Sequence, residues 1–96
     1  MLYKSYYQTI RERIRNFAYV NYLRYGEGEV YLSFILSSDG SLKDIKIFDA
    51  KSTNDAYLRD TALKSINDSS PFPSFPKSLA YPELSFNVII SFEVDN

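Results

Sequence analysis

The stretch from Glu83 to Val94, "ELSFNVIISFEV", decides how this chain must fold. Leu84, Phe86, Val88, Ile90, Phe92 and Val94 fall on one parity; Ser85, Asn87, Ile89, Ser91 and Glu93 fall on the other. Successive side chains of a strand point to opposite faces, so the pattern predicts a strand over residues 84–94, one face in a core and the other nearly polar. Such a strand cannot bury its apolar face alone and needs partner strands and a second layer.

The partners lie upstream. In "GEVYLSFILSSDGSLKDIKIFDA", Gly28 to Ala50, residues Val30, Leu32, Phe34 and Leu36 alternate with Tyr31, Ser33, Ile35 and Ser37, which predicts a strand over 29–37. Asp39-Gly40 is a hairpin signal, since both residues tolerate positive φ. A second strand over 42–49 follows with Ile45 and Ile47 in phase; Leu42 is out of phase by one residue, so a bulge is expected there.

Two helices supply the second layer. Tyr3, Tyr7, Ile10, Ile14 and Phe17 recur at steps of four and three, predicting an amphipathic helix over 3–22 with Arg11, Arg13 and Arg15 turned mostly away from the core. Gly26 and Gly28 end that pattern. Leu58, Ala62 and Ile66, with Leu63 beside them, predict a second helix over 55–67, capped by Thr53 or Asn54 with Asp55 in its first turn. It cannot pass Pro71.

The order α-β-β-α-β makes residues 1–96 a single α+β domain: a two-layer sandwich of a three-stranded antiparallel sheet with both helices on one face. The first strand is expected in the middle. The other face is left open and carries Tyr31, Ile35, Phe48 and Ile89, either scattered surface hydrophobes or a small patch for self-association.

The crossover over 70–82 contains "SPFPSFP", Ser70 to Pro76. Pro73 and Pro76 form a bare PxxP, a ligand signature that normally has basic flanks, and only Lys77 supplies one. The prolines restrict φ and lower the entropy lost on ordering. The segment therefore reads as a stiff strap across the end of the sheet that docks Phe72 and Phe75 into the domain's own core.

Composition removes several function classes. The 96 residues include no cysteine and no histidine, so there is no disulfide, no thiolate or imidazole metal site and no nucleophile system built on either residue. Asp39, Asp44, Asp49 and Asp60 lack the spacing of a catalytic carboxylate pair, so no enzyme, metal or cofactor is expected. The sheet region is net acidic without a basic-aromatic run, which argues against nucleic acid. No apolar run approaches membrane-spanning length and no signal peptide is visible, so any anchor is expected before Met1. Net charge is −1, yet residues 1–25 carry five basic side chains against Glu12 alone. That is a solvated helix face, or a patch that meets an acidic partner.

Taken as a set, "GEVYLSFILSSDGSLKDIKI", "LRDTALKSINDSSPFPSFP" and "LSFNVIISFEV" resemble the C-terminal domain of TonB-like energy transducers, and the related TolA domain looks similar. Gly28 and Val30 fill the family's Gly-x-Val strand, Asp39-Gly40 its turn, Leu58, Ala62, Leu63 and Ile66 its helix, Pro71-Phe72-Pro73 its crossover, and Phe86 to Phe92 its last strand. The family's Tyr-Pro pair before the first strand is absent; that region reads "FAYVNYLRYGEG". The resemblance implies a periplasmic domain of an inner-membrane-anchored protein. It implies that the domain binds an extended segment of an outer-membrane receptor and passes on energy from the proton gradient, with inner-membrane proton-channel motor proteins acting through a preceding region. A TolA-like envelope-integrity domain that binds periplasmic proteins is the alternative.

The residues suggest how such binding works. A three-stranded sheet has two free edges with unpaired N–H and C=O groups, which an extended peptide can fill as a fourth strand. The last strand is the expected docking edge, through the backbones of Ser85, Phe86, Asn87, Val88, Ile89, Ile90, Ser91 and Phe92. The second strand is the poorer edge, bent by its bulge and charged by Lys43, Asp44 and Lys46. A homodimer or scaffold formed on the same edge is the rival reading.

Overall fold

The computed structural model describes residues 2–94, with side chains from Tyr6 onward. Its elements are α1 (Leu2–Asn21), β1 (Gly28–Ser37), β2 (Leu42–Ile47), α2 (Ala56–Ser69) and β3 (Glu83–Phe92). The sheet order is β2-β1-β3, antiparallel throughout, with β1 central. Both helices cover one face. Val30, Leu32, Phe34 and Leu36 of β1, with Phe86, Ile90 and Phe92 of β3, share a single core with Ile10, Ile14, Leu58 and Ile66.

The final strand keeps the alternation of its sequence: its even residues are buried or half-buried and its odd ones exposed. The bulge is present, because Ile35 pairs with Asp44 but Leu36 with Leu42, leaving Lys43 as the extra residue. In the hairpin, only Gly40 of the Asp39-Gly40 pair takes positive φ, at 89°. Asp39 contributes its carboxylate instead, accepting from the Ser37 hydroxyl at 2.6 Å and the Ser41 N–H at 3.0 Å. These bonds, Ser37 first, hold the Asp39 carboxyl down at about 2.

The stripe of α1 runs straighter than its sequence suggests. Tyr6, Ile10, Ile14, Ala18 and Tyr22 are buried at steps of four, while Tyr7 and Phe17 flank them half-exposed. Tyr3 lies outside the described side chains. Two further corrections concern polar residues. Arg13 is not turned to solvent; its guanidinium donates to the carbonyls of Ser69 and Pro71 and ties α1 to the strap. The N-cap of α2 is neither Thr53 nor Asn54 but Asp55, whose carboxylate accepts from the N–H groups of Tyr57 (2.9 Å) and Leu58 (3.3 Å).

Helix α2 continues to Ser69, two residues beyond the expected end. Thr61, Ser65 and Ser69 are buried, each hydroxyl bonded to the carbonyl four residues back at 2.7–2.8 Å, so these small polar residues lie in the interior with their hydrogen bonds satisfied.

The proline stretch is a strap. Phe72 is 3% exposed and stacks on Phe34 at 5.7 Å, and Phe34 in turn stacks on Phe86 at 5.4 Å. Its backbone is sewn to the hairpin: the Phe72 N–H donates to the Gly40 carbonyl (2.9 Å) and the Phe75 N–H to the Ser38 carbonyl (2.8 Å). From above, the Tyr6 hydroxyl donates to the Pro73 carbonyl at 2.6 Å, and its ring meets Phe75 edge-on at 5.5 Å. Tyr81, at the far end of the crossover, remains 58% exposed.

Candidate functional site: the outer edge of the third strand

Which backbone groups are free follows from the pairing. On β1 the odd residues face β2 and its continuation: the Tyr31 carbonyl accepts from Phe48, the Glu29 carbonyl from Thr53, and the Ser37 N–H donates to Ser41. In an antiparallel ladder the intervening residues bond the other neighbour, so the even residues of β1 bond β3. Their partners are Leu84, Phe86, Val88, Ile90 and Phe92. The backbones of Ser85, Asn87, Ile89 and Ser91 therefore point outward.

Of the eight residues assigned to docking from sequence, Phe86, Val88, Ile90 and Phe92 thus pair with β1, and Ser85, Asn87, Ile89 and Ser91 form the edge. An independent contact marks the same side: the Tyr7 hydroxyl donates to the outward carbonyl of Asn87 at 3.1 Å. Among the described residues, the outward groups of Ser85, Ile89 and Ser91 have no hydrogen-bond partner. From Ser85 to Ser91 the edge is about 20 Å long.

Helix α1 overhangs this edge without covering it. Between them lies an open groove of about 760 Å³, bounded by Tyr7, Arg11, Arg15 and Tyr19 on one side and Asn87 to Glu93 on the other. The Arg11 guanidinium lies 5.8 Å from the centre of the Tyr7 ring. Arg24 sits at φ 67° and lies over Tyr19 at 5.2 Å and Tyr22 at 5.9 Å, closing the far end. Sequence periodicity gave no sign of this groove, because it depends on how far α1 is displaced toward β3.

The opposite edge is less suited to pairing. Strand β2 has six residues, carries the bulge at Lys43 and exposes Lys43, Asp44 and Lys46.

On the open face, Tyr31, Phe48 and Ile89 come together: Tyr31 is the cross-strand partner of Ile89, and all three line a shallow hollow with Lys51. Phe48 is 40% and Ile89 55% exposed. Ile35 shares this face but lies four residues along β1, opposite Ser85, outside the hollow. The Tyr31 hydroxyl donates to Glu29 at 3.2 Å, and that bond, with the Glu29 charge, raises its pKa above the ordinary phenol value.

No helix among the described residues is long and apolar enough to cross a membrane, and no group of three or more acidic side chains among them is placed to hold a metal ion.

The profile of the family described as "TonB C terminal" matches residues 3–92. Two solved structures share the fold, both NMR solution structures of the Helicobacter pylori TonB C-terminal domain. The one of residues 179–285 is 24% identical, with a TM-score of 0.64 over 91% of this chain and 82% of that one. The one of residues 194–285 is 25% identical, with a TM-score of 0.64 over 91% of this chain and 96% of that one. No curated protein matches the chain.

Proposed function

The chain belongs to the TonB C-terminal domain family, and from that premise we propose that it is the periplasmic receptor-binding domain of a TonB-like energy transducer. An extended segment of an outer-membrane receptor adds to the sheet as a fourth strand beside β3. Inner-membrane proton-channel proteins supply the force through sequence N-terminal to the domain, and the added strand transmits it. Capture through backbone groups tolerates many side-chain sequences, which suits one transducer that serves several receptors.

The observation that carries this reading is the row of outward groups at Ser85, Ile89 and Ser91, without partners among the described residues, with Ile89 and Ser91 lining the groove. Among the described residues the Asn87 carbonyl is the one outward acceptor already occupied, and the Tyr7 hydroxyl that occupies it can rotate away as a strand arrives.

The test is Ile89→Pro. Its N–H points away from β1, so proline removes an outward donor and leaves the β1 ladder intact, the placement in which edge strands tolerate it. One lost hydrogen bond and one stranded acceptor on the incoming peptide cost about 2–4 kcal/mol together, or roughly 30- to 1000-fold in affinity. Titration with a receptor N-terminal peptide, on protein with an unchanged circular dichroism spectrum, reads the effect. Undiminished binding by the folded variant would falsify the edge assignment.

A further inference from the structure

We propose that the strand accepted by β3 carries carboxylates at alternate positions, i and i+2, on the face turned toward α1, where they meet Arg11 and Arg15. This rests on the edge-addition reading above and adds a side-chain specificity to it.

The placement follows from two elements that run in step. Tyr7 stacks on Phe86 at 5.9 Å, and Tyr22 lies against Phe92 at 4.9 Å, so α1 and β3 run in the same direction. The fifteen steps from Tyr7 to Tyr22, just past the end of α1, rise about 22 Å, and the six strand steps from Phe86 to Phe92 about 20 Å. Arg11, one turn after Tyr7, is therefore level with Asn87 and Val88, and Arg15, a turn further on, with Ile89. Both arginines line the groove on the α1 side.

Their separation matches a strand. Residues four apart on a helix share a face and stand about 6 Å apart along its axis. Alternate side chains on one face of a strand are about 6.6 Å apart. Consecutive α1-facing side chains of an added strand thus fall opposite consecutive arginines. Both arginines are exposed, and Arg15 has no ion pair or hydrogen bond among the described residues. Among the described residues, the acid that lines the groove is Glu93, beyond Phe92 at its far end, and none lies in the stretch beside Arg11 and Arg15. The intervening side chains of the added strand turn to the open face beside Ile89, which is 55% exposed, and are best apolar.

The experiment compares three end-blocked peptides of equal length on an alternating Thr/Val background. The first has two glutamates at i and i+2, the second has the same composition with the glutamates adjacent, and the third has glutamines at i and i+2. Binding is measured calorimetrically at low and high salt, with amide exchange of β3 recorded in parallel. Adjacent glutamates can place only one carboxylate toward α1. At low salt the spaced peptide is expected to bind up to about 5-fold more tightly than the adjacent one, which keeps one carboxylate toward α1, and about 5- to 10-fold more tightly than the glutamine one, with the advantage falling away at high salt. In the double variant Arg11→Glu/Arg15→Glu the spaced-glutamate peptide becomes the weakest of the three, and a fourth peptide with lysines at i and i+2 binds best. Equal affinity for all three peptides, with the β3 amides protected in each case, overturns the charge proposal and leaves edge addition standing. If no peptide protects those amides, both fail.

Discussion

Replacing Gly40 by alanine drives a methyl group into the strap. Gly40 holds φ at 89°, and a Cβ on it falls 1.9 Å from the Phe72 carbonyl oxygen and 2.7 Å from its carbon. Both atoms are backbone, so the strap must back away by about 1 Å or more. Positive φ costs alanine about 1–2 kcal/mol. The Phe72 N–H bond to the Gly40 carbonyl, worth about 1 kcal/mol net, is strained or broken with it. Phe72, buried on Phe34, is drawn partly out of the core, which adds a fraction of the roughly 3–5 kcal/mol that full truncation of a buried phenylalanine costs. The sum is about 3–5 kcal/mol, out of about 5–14 kcal/mol for a domain of this length. At roughly 4–8 °C per kcal/mol, the melting temperature should fall by about 12–40 °C. Urea and thermal denaturation followed by circular dichroism measure this. A double-mutant cycle with Phe72→Ala should show strong non-additivity, because the second change removes what the first displaces. If Gly40→Ala stays within about 0.5 kcal/mol of the parent, the strap is not locked to the hairpin, and the segment returns to being a free proline-rich loop.

Other perturbations test single interactions. Asp55→Ala removes the N-cap of α2 and should cost about 1 kcal/mol in urea denaturation, whereas Thr53→Ala should cost less, since its hydroxyl bonds only the Asp55 N–H, at 3.3 Å. The Asp39 carboxyl, held at about 2 by Ser37 and Ser41, lies below its unfolded value of roughly 3.9. A depressed folded pKa means that its stabilisation is complete above pH ~4 and is lost as pH falls toward ~2. Carboxyl NMR should place its midpoint near 2, and Asp39→Ala should flatten that part of the stability–pH curve. A midpoint near 4 contradicts the hairpin geometry.

The elements with a single strong period were legible from sequence. Strand β3 alternates over its whole length because one sheet face is core and the other open. The phase break at Leu42 announced the bulge because a strand's side-chain period is two and one extra residue must shift it. The misplacements have local physical causes. Tyr6 and Tyr7 are adjacent and identical, so the helical stripe could pass through either; the choice fell to Tyr6 because its hydroxyl reaches the Pro73 carbonyl, a contact 67 residues away. Asp55 outcompeted Thr53 and Asn54 as cap because the helix starts at Ala56, one position later than the apolar pattern indicates. Ser65 and Ser69 look like surface residues in sequence and are buried because their hydroxyls bond the carbonyls of their own helix.

At the candidate site, sequence reached the strand and its place at the sheet margin but not which half of its backbone is free. That division depends on the hydrogen-bonding parity of β1, which is visible only once Phe48, Thr53 and Ser41 are seen bonding its odd residues. The groove depends on the displacement of α1, and no residue pattern encodes that.

The most direct measurement is residue-resolved amide exchange by NMR, with and without a receptor N-terminal peptide in extended form. The account predicts new protection at Ser85, Ile89 and Ser91, with Val88 and Ile90 already protected by β1 and the amides of Ile45 and Ile47 on β2 unchanged. Protection that instead appears along β2, or a peptide that binds while the outward β3 amides exchange as before, contradicts it.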